Sequence, residues 1–175
     1  MFDVPVMGTH AHSWIMSFPD EYTAFRTYAE MYPDNCTLLV DTYDTLKSGV
    51  PNAIRVFREF KASGKPLNKY GIRLDSGDLA YLSKEARKML DEAGFPEATI
   101  CASNDLDEFL LHDLKMQGAA IDSWGVGTNL ITSKDCPSFG GVYKLAAIQN
   151  EEGEFVPKIK ISENTAVSYT HLRAH

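Results

Sequence analysis

Four short runs of apolar and β-branched residues recur along the chain, each ending in small or acidic side chains. They are TLLVDTYD (37–44), GIRLDSGD (71–78), TICASND (99–105) and AIDSWGVGT (120–128). Their polar ends fall at Asp41, Asp75, Ser103 and Gly127, at intervals of 34, 28 and 24 residues. Such an interval holds a strand, a crossover helix and the return to the next parallel strand. The runs are nearly continuous in apolar residues, as strands covered on both faces require. The recurrence therefore demands an α/β fold with a parallel sheet. Both an open sheet and a β/α barrel satisfy it. We expect a partial β/α barrel, because successive strands that all end in polar residues would share one mouth there. An open sheet gathers such residues at its switch point instead. A barrel takes eight strands and the sequence supplies about five, so the chain is expected to be a piece of one.

Helical segments fill the intervals. PNAIRVFREFKASG opens with Pro51 in a first turn and ends near Gly64. LAYLSKEARKMLDEAG brings Leu79, Leu82, Ala86, Leu90 and Ala93 to one side and stops at Gly94. Asp105 and Glu108 form a capping-box start for a helix with Leu106, Phe109, Leu110 and Leu114 inward, closing at Gly118. An earlier helix is expected over 20–32, with Tyr22, Phe25, Tyr28 or Ala29, and Tyr32 on its inner face.

A chain of 175 residues, 44% hydrophobic, suffices for one core. Its net charge of −7 argues against a general nucleic-acid or anionic-membrane surface. A small phosphorylated substrate stays open, since backbone N–H groups and one or two basic side chains can hold a phosphate. Cys36, Cys101 and Cys136 are widely spaced without a CxxC, which fits a reducing, cytoplasmic compartment. Cys101 lies in an apolar run and is expected to be buried. Nothing reads as a signal peptide or an apolar membrane span.

The chemistry-bearing residues sit at the strand ends and in GTHAHSW (8–14). His10 and His12 alternate, so in an extended segment they face opposite sides and make poor joint ligands for one metal. His10 reads as a solvent-facing or supporting residue. His12 reads as catalytic, covalently modified or simply buried. In GIRLDSGD, Arg73 and Asp75 share a face, with Asp78 on the turn that follows. Arg73 can clamp a carboxylate or phosphate, or pair internally with Asp75, and the two roles are compatible. Carboxylates at such a mouth can hold Mg²⁺ or receive sugar hydroxyls. Asp41 and Asp44 can bind a cation or cap the next element. Gly125, Gly127 and Thr128 can cradle a phosphate or form a tight turn. Lys144 can face an anion or lie exposed. These groups together suit a phosphorylated, hydroxyl-rich substrate with a divalent cation, and do not specify the bond made.

GTHAHSW, LLVDTYDT, GIRLDSGDL, SNDLDE, IDSWGVGTNLITS and GGVYKL, in this order and spacing, resemble the nicotinate phosphoribosyltransferases from the first residues to about Glu163. The resemblance implies an irregular α/β barrel of the type II phosphoribosyltransferase kind over residues 1–164. It implies formation of nicotinate mononucleotide and pyrophosphate from nicotinate and phosphoribosyl pyrophosphate, in NAD biosynthesis. It further implies Mg²⁺, and ATP as co-substrate through a transient phosphohistidine. The phosphorylated histidine falls on His12 and a nicotinate contact on Thr9. Arg73 takes the nicotinate carboxylate, and Asp75 lies beside the ribosyl and pyrophosphate groups. From their place at the strand ends, Asp41 and Asp75 are expected to hold the Mg²⁺. Thr128 with Gly125 and Gly127 takes the 5-phosphate. The resemblance implies that active sites are commonly completed across a homodimer by an N-terminal domain, which is expected to lie outside this sequence. Residues 165–175 do not continue the pattern and are expected to be non-native. The alternatives are a nicotinamide or quinolinate phosphoribosyltransferase, and a catalytically silent fragment with protein contacts alone.

Overall fold

The computed structural model describes residues 3, 8–132, 143–158 and 160. Cys136, the glycine pair 140–141 and the segment 165–175 lie outside these residues. The chain begins with α1 (His12–Met16) and α2 (Glu21–Met31), followed by β1 (Cys36–Leu39), α3 (Val50–Ser63) and β2 (Tyr70–Leu74). Next come α4 (Leu79–Glu92), β3 (Thr99–Ala102), α5 (Glu108–Met116), β4 (Ser123–Trp124) and α6 (Thr128–Ile131). A hairpin of β5 (Ala147–Gln149) and β6 (Phe155–Pro157) completes the described elements. Strands β1 to β4 form a four-stranded sheet in sequence order, and each neighbouring pair is parallel. The alternation of strand and helix thus gives the α/β layer that the recurrence demanded.

The described residues form a parallel sheet without closing it into a barrel. The sheet is open, β4 is two residues long, and β1 lies at an edge. At that edge the Leu39 N–H meets a side chain, donating to His10 Nε2 at 3.2 Å. Strand order shows no reversal, so every carboxyl end of the sheet lies on one side without a switch point.

Local chemistry sets the helix ends. Asp20 caps α2 by accepting from Thr23 N, and Asp78 caps α4 by accepting from Tyr81 N. Pro51 lies in the first turn of α3. Gly94, at φ +85°, lets Phe95 N reach back to Leu90 O at 2.9 Å, closing α4 in a Schellman turn. The start of α5 corrects the sequence reading. Asn104 and Asp105 take φ of 94° and 47°, burying Leu106 ahead of the helix, and Asp107 rather than Asp105 is the cap. The expected inward face rotates accordingly: Leu114 is buried, Phe109 is 66% exposed and Leu110 is 37% exposed. In α2, Phe25, Tyr28 and Ala29 are buried as expected, but Tyr32 at the C-cap is half exposed.

The two faces of the sheet differ. Leu38, Val40, Ile72, Leu74, Ile100 and Ala102 are all fully buried in a core shared with α3 and α4. Each large apolar side chain removed from water contributes about 1.5–3 kcal/mol. The opposite face carries Thr37, Arg73, Cys101 and Ser123 towards a cavity. Cys101 is therefore only partly buried, contrary to expectation, because β3 turns it to the cavity side. Cys36 is buried, and burial pushes its thiol up to about 12, so it is inert as a nucleophile.

Beyond β1, the expected strand over 37–44 stops at Leu39. Asp44 caps a π-helical turn, Thr45–Gly49, by accepting from Lys47 N. Gly49 packs so tightly on β1 that a Cβ there would lie 1.8 Å from the Val40 carbonyl oxygen. No helix among the described residues is long and apolar enough to cross a membrane.

Candidate active site

Arg73 organises the carboxyl ends of β2 and β3. Its Nε donates to Ser103 Oγ at 2.8 Å, Nη1 to Thr9 Oγ1 at 2.8 Å, and Nη2 to Asp75 Oδ1 at 2.9 Å. Ser103 donates in turn to Asp75 Oδ1. The i, i+2 spacing on β2 puts Arg73 and Asp75 on one side, and the register Leu74↔Ala102 brings Ser103 level with Asp75. Burial pushes the Asp75 carboxyl up. The His12 ring 3.5 Å away, the hydrogen bond from Ser103 and the Arg73 charge outweigh it, and hold Asp75 well below the usual carboxylate range. A guanidinium has five N–H donors. Three are used here, which leaves one on each terminal nitrogen.

Asp41 lies beside this group, almost fully buried. Its Oδ2 accepts from Asp75 N at 3.0 Å and from the Ser76 hydroxyl, while Oδ1 has no hydrogen-bond partner among the described residues. Asp41 is therefore part of the site, whereas Asp44 is a cap. His12, the first residue of α1, turns its ring into the same place. Its Nδ1 lies 3.0 Å from Thr42 Oγ1, and its Nε2 lies 3.5 Å from Asp75 Oδ2 and 4.0 Å from Asp41 Oδ1.

His10 turns the other way, as its alternation with His12 implied, but it is buried rather than solvent-facing. Its ring stacks edge-on to Tyr28 at 4.6 Å and lies 5.9 Å from Phe25. Burial lowers its pKa to about 4, so it is neutral and accepts from Leu39 N. The two histidines cannot share a metal. Among the described residues no group of three or more His, Cys, Asp or Glu is placed to hold one. Mg²⁺ makes a smaller demand, because it keeps waters and binds one or two carboxylates together with substrate phosphates. The unpartnered Asp41 Oδ1 and the adjacent Asp75 Oδ2 fit that demand.

A cavity of about 790 Å³ runs along the polar face of the sheet, and Thr9, Arg73, Cys101, Ser103, Gly125 and Gly127 are among the residues that line it. His12 and Asp41 do not line it, and Arg73 joins them to it through Asp75. Gly125 opens this wall: a Cβ there would stand 3.3 Å from Ser103 Cβ. Its N–H is bonded to Ala102 O at 2.7 Å, so it is not the open phosphate donor that the sequence suggested. Thr128 begins the one-turn α6 and is exposed.

Three contributors went unassigned in the sequence. Thr42 and Ser103 lie next to or at the marked strand ends, and their hydroxyls complete the network. Lys160 is 8% exposed and lies within electrostatic reach of Asp41, Asp75, Arg73 and Lys144. Burial lowers its pKa, which Asp41 partly offsets. Its only signal was the basic KIK triplet, 85 positions beyond Asp75.

No family model matches the chain. Individual relatives do. The chain is 63% identical over 163 residues to nicotinate phosphoribosyltransferase of Bacillus subtilis, covering 93% of this chain and 32% of that protein. It is 39% identical to nicotinate phosphoribosyltransferase of Dictyostelium discoideum, covering 93% of this chain and 34% of that one. The crystal structure of human nicotinic acid phosphoribosyltransferase superposes with a TM-score of 0.63 at 27% identity, over 70% of this chain and 35% of the human one. The enzyme from Porphyromonas gingivalis gives a TM-score of 0.67 over 94% of this chain and 44% of that one; at 24% identity it supports the fold alone. The chain thus spans about a third of the length of the curated relatives it matches. Over that span, the chain is a homologue of proteins named nicotinate phosphoribosyltransferase.

Proposed function

We propose that the chain carries the part of a nicotinate phosphoribosyltransferase that holds the pyridine acid and its phosphoribosyl donor, within a partial β/α barrel of the type II phosphoribosyltransferase kind. The observation that carries the reading is the Arg73 fork. With Thr9, Ser103 and Asp75 fixing three of its donors, one N–H on each terminal nitrogen is left for the two oxygens of a carboxylate. Nicotinate docked there lies along the Thr9 side of the cavity. Its ring nitrogen attacks C1 of phosphoribosyl pyrophosphate, the C–N bond forms, and pyrophosphate leaves with the electron pair of the C–O bond. No proton need be removed from the ring nitrogen, so the site requires positioning and charge stabilisation rather than a base.

Gly127 and Thr128 take the 5-phosphate, with Thr128 offering its hydroxyl, while Gly125, its N–H bonded to Ala102 O, keeps the cavity wall open. Lys160 supplies positive charge opposite Asp41 and Asp75, where an anionic leaving group gathers. Mg²⁺, when bound, would neutralise pyrophosphate charge beside Asp41 and Asp75. His12 is the energy coupler. One nitrogen lone pair of its neutral imidazole takes the γ-phosphoryl of ATP, an N–P bond forms, and ADP leaves with the electrons of the O–P bond. Water later hydrolyses the N–P bond. The complete enzyme works as a homodimer in the cytoplasm.

The test supplies the complete enzyme that contains this chain with nicotinate, phosphoribosyl pyrophosphate, ATP and Mg²⁺, and measures nicotinate mononucleotide chromatographically. Product is expected from nicotinate and not from nicotinamide, with Arg73→Ala lowering its rate at least about 100-fold. No product, or equal use of nicotinamide, would contradict the reading.

A further inference from the structure

Glu21 is a buried carboxylate that this chemistry does not use. It is the first residue of α2, 4% exposed, and its Oε2 accepts from the Ser48 hydroxyl and from Asn52 Nδ2 at 2.9 Å. Its Oε1 has no hydrogen-bond partner among the described residues. Burying a carboxylate is costly, and a pair of polar contacts rarely makes it the most stable choice for a helix junction. Its location suggests what the carboxylate does.

Ser48 belongs to the π-turn Thr45–Gly49, and Asn52 to the first turn of α3. The segment from Val40 to Asn52 is therefore held in three ways. Gly49 is pressed onto the Val40 carbonyl, Asp44 accepts from Lys47 N and through its own carbonyl from Ser48 N and Gly49 N, and Glu21 grips Ser48 and Asn52. Within this clamped segment lie Asp41, bonded to Asp75 N and Ser76, and the fully buried Thr42, whose hydroxyl meets His12 Nδ1.

Glu21 and His12 also belong to one stretch of chain, α1 running into α2 with Trp14 Nε1 donating to Ala24 O at 3.2 Å across the junction. The same two pieces of protein are thus joined twice, by His12 to Thr42 and by Glu21 to Ser48 and Asn52. If the second joint slackens, α1–α2 can shift on the 41–52 segment and carry the His12 ring away from Asp75. Local π-turns recur at functional sites, and reacting groups displaced by about 1 Å can lose about 100-fold in rate.

We propose that Glu21 is a positioning residue, which through Ser48 and Asn52 fixes the 41–49 segment and so sets the His12 ring against Thr42 and Asp75. The consequence for catalysis rests on the proposed function, but the positioning itself is a property of the folded chain.

The experiment records ¹⁵N shifts of the His12 imidazole in the intact chain, with folding followed by circular dichroism. Glu21→Ala and Ser48→Ala are expected to move both His12 ring-nitrogen signals from their wild-type positions. Glu21→Gln, which keeps an acceptor oxygen for Ser48, is expected to restore them. Leu90→Ala, which opens the core under α4 away from the clamp, is the control for general destabilisation and is expected to leave the signals in place. Unmoved signals in folded Glu21→Ala, or in Ser48→Ala should Glu21→Ala not fold, would overturn the inference. Equal displacement by Leu90→Ala, or no restoration by Glu21→Gln, would overturn it as well. None of these outcomes depends on nicotinate turnover, so failure of the positioning role and failure of the proposed function are separately visible.

Discussion

The edge of the sheet at β1–β3 and the edge at β4–α6 carry equally suggestive sequence motifs, yet they are built differently. At the first, every charged group is engaged: Arg73 spans Thr9, Ser103 and Asp75, and Asp41 is bonded to the backbone and hydroxyl of the next loop. At the second, Gly127 and Thr128 are exposed, α6 is one turn long, and Leu130 and Ile131 are 73% and 81% exposed. The contrast separates two ways of making a site. Side chains that must hold charge at a fixed angle are set by cross-strand hydrogen bonds before any ligand arrives. A loop that offers backbone and hydroxyl groups needs little such support.

The largest effect that sharpens this comparison is expected from Arg73→Ala. It leaves the Asp75 carboxylate without its cation and the Thr9 and Ser103 hydroxyls without a donor, so urea unfolding should show a loss of about 3 kcal/mol. A loss below about 0.5 kcal/mol would mean that the β1–β3 edge is no more tightly built than the β4–α6 edge.

The pH profile probes the same edge through His10. Its folded pKa is about 4, below the ordinary 6.5, because burial penalises the imidazolium. The unfolded chain therefore takes up a proton between these values that the folded chain refuses. Stability is full above pH 6.5 and falls as the pH drops to about 4, by up to about 3 kcal/mol from this group. Asp75, held below its ordinary 3.8, adds a loss at still lower pH, where the unfolded carboxylate protonates first. His10→Gln should flatten the slope between pH 6.5 and 4, and an unchanged slope would remove His10 as its source.

Gly125→Ala joins the two edges, since its new Cβ would meet Ser103 Cβ at 3.3 Å. A cost of about 1 kcal/mol is expected, with weaker nicotinate binding by calorimetry as the cavity wall thickens. Unchanged binding would show that the β4 side does not shape the pyridine pocket. Thr128→Ala should cost less than about 0.5 kcal/mol in stability, yet raise the KM for phosphoribosyl pyrophosphate. A large stability loss there would contradict the view of this edge as an open loop.

Much of this organisation was legible in the sequence, for identifiable reasons. Strand and helix recurrence is written in local periodicity, and the i, i+2 pairing of Arg73 with Asp75 follows from the pleat. The start of α5 was misread because Asn104 and Asp105 adopt positive φ, which no hydrophobic pattern announces. His10 was misjudged because its polar flanks suggest solvent, whereas α2 lays Phe25 and Tyr28 over it. Lys160 and Glu21 reach the site neighbourhood only through tertiary packing, so spacing along the chain could not place them.

The central claim, that His12 rather than His10 handles phosphate beside Asp75, has a direct test. The chain is incubated with Mg²⁺ and ATP labelled in its γ-phosphate, and acid-labile, base-stable protein phosphate is measured for wild type, His12→Ala and His10→Gln. The account predicts label on wild type and His10→Gln and none on His12→Ala. Label that persists in His12→Ala, or no label on the folded wild-type chain, would contradict it.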